Sequence, residues 1–278
     1  MTAPSDPVAV FDSGVGGLTV LHELLVSLPT EDYLYFGDTA RMPYGTREPG
    51  ELQAFAVQIT EHLLSARAKL LVVACNSASA VALGTIEAHL ASRGVRIDVI
   101  GAVAPAAQLA VAGSRSGRIG LLATPATVTS GAYERAVLGA DPHVHLESVA
   151  CPDLAPAIEG GFPFDEHLID TVRAYCAPLR AARVDTVILG CTHYPLVAPM
   201  LQRILGRDVA LVTSGAGVTR SVERALAARD LLHPRLEEGD YRFRCTGDTA
   251  AFRSLGTRFL QMPLGDVARV TVTDMVVA

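Results

Sequence analysis

An α/β fold of two similar lobes, each built on a parallel sheet, is predicted by three observations on the sequence. Short apolar, β-branched runs alternate with segments of helical spacing along the chain. The 278 residues are 50% hydrophobic but contain no tryptophan and only 5% aromatics. Their core must be aliphatic, as in sheets covered on both faces. Two of the apolar runs, 69–74 and 186–190, end in matching fashion on Cys75 and Cys191.

The elements follow in order. Residues 7–11 are a short apolar run and predict a strand. Apolar spacing over 18–28 predicts a helix, and 33–36 another strand. A turn-rich loop covers 39–45. A long helix over 48–66 leads to the strand at 69–74, and a helix follows over 78–93. Strand 97–103, helix 105–112, strand 119–123, helix 126–138 and strand 144–150 continue the alternation. Helix 164–182 leads to the strand at 186–190. Helix 197–205, strand 209–213 and helix 218–229 come next, then strand 241–245, helix 250–259 and strand 267–272. Such alternation implies right-handed βαβ units. The two cysteine-terminated strands occupy similar places in two successive arrays, which suggests an internal duplication. The excess of strands after residue 207 is expected to fold back on the first array. The expected division is therefore 1–98 plus 207–278 as the lobe carrying Cys75, and 99–206 as the lobe carrying Cys191. No Gly/Ser linker or low-complexity segment separates them, so two packed lobes with a site between them are expected.

Composition narrows the function. A net charge of −6 argues against a nucleic-acid or anionic-membrane surface. No apolar run approaches the roughly 18 residues of a membrane span. The N-terminal residues lack the basic and apolar regions of a signal peptide. The five cysteines, at 75, 151, 176, 191 and 245, form no C-x-x-C pair. They read as neither a disulfide framework nor a zinc site, and a reducing cytoplasm is the expected compartment.

Several short motifs carry candidate chemistry. Asp12-Ser13-Gly14-Val15-Gly16-Gly17 follows the first strand and opens a helix. The glycines allow close backbone approach, and a helix N-terminus favours an anion. It matches neither a dinucleotide fingerprint nor a P-loop, and spacing alone allows a plain tight turn; the carboxylate of Asp12 at the strand end raises its weight. Cys75 and Cys191 stand apart from the other cysteines because each ends a strand just before small polar residues, Asn76-Ser77 and Thr192-His193. A helix start lowers a thiol's pKa. Cys151, Cys176 and Cys245 read as small core residues. His193, two residues from Cys191, can perturb that thiol or cap a turn. His143 and His145 share a face of one strand, lack further ligands and read as rim residues. Glu159 reads as a helix end. Thr124, Thr127 and Thr129 crowd a strand-to-helix junction, suited to capping or to binding a carboxylate.

These stretches together resemble glutamate racemases of the aspartate/glutamate racemase superfamily. The resemblance is carried in order by residues 11–19, Tyr35-Phe36-Gly37-Asp38-Thr39, Pro43-Tyr44-Gly45, residues 74–80, residues 151–160, and Leu189-Gly190-Cys191-Thr192-His193-Tyr194-Pro195. Ser77 stands where that family has Thr, with the hydroxyl kept, and residues 46–48 also depart from its pattern. The resemblance implies two flavodoxin-like lobes related by a pseudo-two-fold axis, with the active site between them. It implies cofactor-independent interconversion of L- and D-glutamate, supplying D-glutamate for peptidoglycan, and a homodimer. Cys75 and Cys191 would be the acid/base thiols, with Cys75 acting on D-glutamate and Cys191 on L-glutamate. Asp12, His193 and Glu159 would assist them. Asp12, Ser13, Pro43, Tyr44, Gly45, Asn76, Ser77, Thr124, Thr127, Thr192 and His193 would bind substrate, and no metal is implied.

The chemistry matches such residues. Racemisation removes the Cα proton from one face and returns one to the other, so two groups must flank the carbon. Without a cofactor to drain charge, a dry, preorganised site must stabilise the carbanion. No arginine clamp is evident, although Arg41 is near in sequence. Three other readings compete: an aspartate racemase, a redox thiol protein, or a binding module, since some relatives also bind DNA gyrase.

Overall fold

In a computed structural model the described residues are 2–161 and 166–272. The first array runs β1 (Val8–Asp12), α1 (Leu18–Ser27), β2 (Tyr33–Gly37), α2 (Pro49–Ser65), β3 (Leu70–Val73), α3 (Asn76–Ser92) and β4 (Asp98–Gly101). Helix α4 (Val103–Gly113) leads to β5 (Arg118–Ala123), α5 (Pro125–Thr129), α6 (Ala132–Ala140), β6 (His145–Ala150), α7 (Leu154–Glu159) and α8 (Glu166–Ala181). Then come β7 (Thr186–Gly190), a 3-10 turn Tyr194–Val197, α9 (Ala198–Leu205) and β8 (Ala210–Thr213). The chain ends with α10 (Ser214–Ala228), β9 (Tyr241–Cys245), α11 (Thr249–Leu260) and β10 (Val267–Arg269).

The strands form two sheets, and all their pairings are parallel. One has the order β10-β9-β2-β1-β3-β4, the other β6-β5-β7-β8. The order β2-β1-β3-β4 is therefore repeated as β6-β5-β7-β8. This gives the expected two α/β lobes and the duplication a physical form. Cys75 follows β3, and Cys191 follows its counterpart β7. Strands β9 and β10 extend the first sheet beyond β2, with Tyr33 opposite Tyr241 and Val267 opposite Phe243. Central strands β1, β3 and β7 are fully buried, which explains why they read as unbroken apolar runs. One aliphatic core joins the lobes: Val10, Leu21 and Val72 belong to the same cluster as Leu122, Val187 and Leu189.

Local chemistry sets the elements that frame the site. Helix α2 begins with Pro49 and a reciprocal capping box between Glu48 and Glu51. Thr124 caps α5 by accepting from the Thr127 amide. Two strand assignments differ from the sequence expectation. Strand β4 pairs with β3, so residues 99–101 belong to the first sheet. Strand β8 pairs with β7, so residues 210–213 belong to the second. A pattern of apolar runs does not say which sheet an edge strand joins, whereas hydrogen bonding does. The helix expected over 126–138 is two helices, because Gly131 adopts φ +64 and breaks it. Helix α3 starts at Asn76 rather than 78, bringing Asn76 and Ser77 into its first turn. Residues 164–165 of the helix expected over 164–182 lie outside the described residues.

Candidate active site

The carboxyl ends of β1, β3, β5 and β7 converge where the two lobes meet. Ligands of open parallel sheets bind at such ends. A cleft there encloses about 640 Å³ of space free of protein atoms, part of it open to solvent. Ser13, Pro43, Tyr44, Gly45, Cys75, Asn76, Ser77, Thr124, Glu159, Cys191, Thr192 and His193 line it. Residues from positions 13 to 193 are thus gathered around one volume, with a thiol contributed by each lobe. Cys75 and Cys191 are only 5% and 7% exposed. Of the other singled-out residues, Asp12 and Thr127 lie buried just behind the lining. Thr129 is exposed and takes no part.

The two thiols have different surroundings. The Cys75 sulfur donates to Ser13 Oγ at 3.8 Å. Burial pushes this thiol up to about 12, the nearby Asp12 carboxylate adds to the effect, and amides of Ala78 and Ser13 oppose it. Cys191 lies 3.7 Å from His193 Nδ1. The other ring nitrogen, Nε2, is 2.7 Å from Glu159 Oε1. Burial works against a charge on this imidazole, but Cys191 and Glu159 outweigh it and raise it to about 10. His193 is therefore an imidazolium near neutral pH, set between a thiol and a carboxylate. The Phe259 ring packs edge-on against it, with centroids 5.1 Å apart.

Asp12 is fully buried. Its carboxylate accepts from the Gly14 amide at 3.0 Å and from Thr192 Oγ1 at 3.4 Å. Burial raises its pKa, while His193 and the Gly14 and Gly17 amides pull it down. The glycine turn has a steric reason. A Cβ on Gly16 would collide with Thr192 Oγ1 and lie 2.5 Å from His193 Cε1, so the first lobe touches the second there through bare backbone. Thr19 Oγ1 also donates across, to the Thr192 carbonyl, at 2.9 Å.

Opposite these groups lies a set of hydroxyls and amides. Ser77 Oγ is 2.9 Å from Thr124 Oγ1, which is 3.0 Å from Thr127 Oγ1. The Gly45 carbonyl accepts from the Ala126 amide at 2.9 Å. Asn76 Oδ1 accepts from Tyr133 and Ser214. The Pro43–Gly45 wall is anchored from behind by Asp38, which accepts from Tyr44, from Arg41 Nε at 2.7 Å and from Thr246 Oγ1 at 2.9 Å. Arg41 also lies 4.2 Å from the Phe55 ring centroid. Its guanidinium is thus part of the wall's support and not a substrate clamp.

The remaining candidates fall outside the cleft. Cys151, Cys176 and Cys245 are buried, all in the shared core. His145 is exposed beside Glu147. Among the described residues, no group of His, Cys, Asp and Glu has metal-binding geometry, and no helix is long and apolar enough to cross a membrane. The sequence reading passed over Met42, Thr46, Pro125, Ala155 and Pro156, which also line the cleft. It equally missed Tyr133 and Ser214, which carry no motif and are near Asn76 only in space.

Comparison with known proteins agrees with this architecture. The sequence model of the Asp/Glu/Hydantoin racemase family matches residues 19–217. A glutamate racemase from Geobacter metallireducens is 42% identical over 269 residues, covering 97% of this chain and 98% of that one. A crystal structure of a glutamate racemase isoform from Bacillus anthracis superposes with a TM-score of 0.89 at 35% identity, covering 95% of this chain and 97% of that one. A glutamate racemase from Francisella tularensis, solved in complex with D-glutamate, also gives 0.89, at 32% identity over 97% of this chain and 98% of that one.

Proposed function

The chain belongs to the Asp/Glu/hydantoin racemase family, and we propose that it is a cofactor-independent racemase interconverting L- and D-glutamate through Cys75 and Cys191. One observation carries this reading: two thiols, at equivalent strand ends of two repeated sheets, face the same cleft. A substrate bound between them presents opposite faces of Cα to the two sulfurs.

With L-glutamate, a Cys191 thiolate takes the Cα proton, and Cys75 S–H gives its proton to the other face. The product leaves with Cys75 as thiolate and Cys191 as thiol, and D-glutamate reverses each transfer. The two sulfurs have unequal surroundings: Cys191 faces the His193 ring, while burial and Asp12 raise the pKa of Cys75. Asp12 would then tune Cys75 through its charge and hold Thr192 rather than meet the substrate, since it is fully covered. The Ser77–Thr124–Thr127 hydroxyls, Asn76 and the amides opening α3 would hold the substrate carboxylates. Ser13, Pro43, Tyr44, Gly45 and Thr192 complete the walls. D-glutamate produced in this way would serve peptidoglycan synthesis in the cytoplasm, with the protein acting as a homodimer.

The test is Cα deuteration of pure L- and pure D-glutamate in D₂O without added cofactor, for wild type, Cys75→Ala and Cys191→Ala. Wild type should incorporate deuterium with change of chirality. Each variant should lose racemisation by at least roughly a hundredfold, since general acid–base groups contribute about that much or more. Both variants racemising at the wild-type rate would sink the two-thiol reading. No exchange with either enantiomer would move the substrate to aspartate or another amino acid.

A further inference from the structure

We propose that Tyr133, supported by Ser214, is a positioning residue that fixes the Asn76 side-chain amide so that its nitrogen donates to a substrate carboxylate. This deepens the racemase reading above and rests on it. Tyr133 lies on α6 and Ser214 opens α10, whereas Asn76 opens α3 next to Cys75. Tyr133 OH donates to Asn76 Oδ1 at 2.6 Å, and Ser214 Oγ to the same atom at 3.3 Å. Both hydroxyl-bearing residues are buried, and neither lines the cleft. They therefore reach the substrate only through Asn76.

The other end of that amide is what gives the arrangement a purpose. Asn76 is 2% exposed and lines the cleft, yet its Nδ2 is buried without a hydrogen-bond partner among the described residues. Leaving such a donor unmet costs free energy. The cost makes sense if an acceptor arrives from outside the chain. An unrestrained amide has two orientations of the same shape and opposite polarity. One offers N–H to a carboxylate; the other offers an oxygen that repels it. Two hydroxyl protons aimed at Oδ1 select the first. Because Tyr133 follows β5 while Asn76 follows β3, the amide is aligned only when the lobes are docked.

The contact is made to bound substrate before any proton moves, so it should act on KM more than on kcat. The experiment compares wild type, Tyr133→Phe, Asn76→Ala and the double variant, with kcat and KM in both directions and melting temperatures. Tyr133→Phe should raise KM roughly five- to tenfold, the scale of one hydrogen bond, with kcat changed less than about twofold. In the Asn76→Ala background the same substitution should leave KM unchanged, the mark of two residues acting as one unit. Ser214→Ala should shift KM in the same direction by less, and it carries the test should Tyr133→Phe not fold. An unchanged KM in a folded Tyr133→Phe, or an equal rise with and without Asn76, overturns the assignment. The glutamate-induced rise in melting temperature, weakened in Tyr133→Phe on this proposal, reads binding independently of turnover. Wild type failing to racemise glutamate would instead count against the racemase reading.

Discussion

Replacing Glu159 by Gln removes the carboxylate behind His193 and nearly preserves shape. Its effect follows from the geometry. His193 is raised from 6.5 to about 10, with Cys191 the larger favourable influence and Glu159 the second. At about 1.36 kcal/mol for each tenfold change in proton affinity, that rise amounts to an upper figure of about 5 kcal/mol. The Glu159 share is smaller than that of Cys191, and its side chain is 22% exposed, which trims it further through solvent screening. Roughly a tenfold loss of kcat/KM is expected. The sign is fixed: a raised pKa means that the charged imidazole's contribution is complete below 6.5 and lost as pH climbs through about 10. In Glu159→Gln this loss comes earlier, so the alkaline limb of kcat/KM should move to lower pH. Because enantiomers have equal free energies, kcat/KM must fall equally in both directions. The asymmetry belongs to the isotope effect. Weakening the Cys191 side makes its proton transfer more rate-limiting. The primary effect with Cα-deuterated L-glutamate should therefore grow, and that with Cα-deuterated D-glutamate should shrink. An unmoved alkaline limb with unchanged isotope effects would mean that Glu159 does not sustain the charge on His193.

Two further outcomes test the scaffold. Gly16→Ala places a methyl against Thr192 and 2.5–2.6 Å from the His193 ring. Overpacking of this kind costs about 1–3 kcal/mol and should lower both melting temperature and activity; unchanged activity would mean the lobes separate freely there. Asp38→Asn breaks the fully buried partner of Arg41, with a stability loss of about 3–5 kcal/mol by denaturant unfolding. A loss below about 1 kcal/mol would show that Asp38 does not anchor the Pro43–Gly45 wall.

Much of the site was legible in the sequence because its residues follow strand ends. Asp12, Cys75, Thr124 and Cys191 each terminate an apolar run, so the α/β pattern itself presents them on one side of a sheet. Glu159 shows the limit: from spacing it is only a helix end, and its role as the acceptor facing His193 depends on a lobe-internal contact 34 residues long. Tyr133 and Ser214 lie 57 and 138 residues from Asn76, with nothing local to mark them.

The alternating elements, the aliphatic core, the repeat and the two thiols can be read along the chain, because they depend on local periodicity and on residue type. Tertiary structure alone decided which sheet β4 and β8 join, how the lobes meet at Gly16, and why equivalent thiols differ. Those outcomes depend on non-local hydrogen bonds, steric contact and burial: the Asp12 carboxylate near one sulfur, an imidazolium at the other. Charges so placed interact through space, across separations that no spacing along the chain encodes.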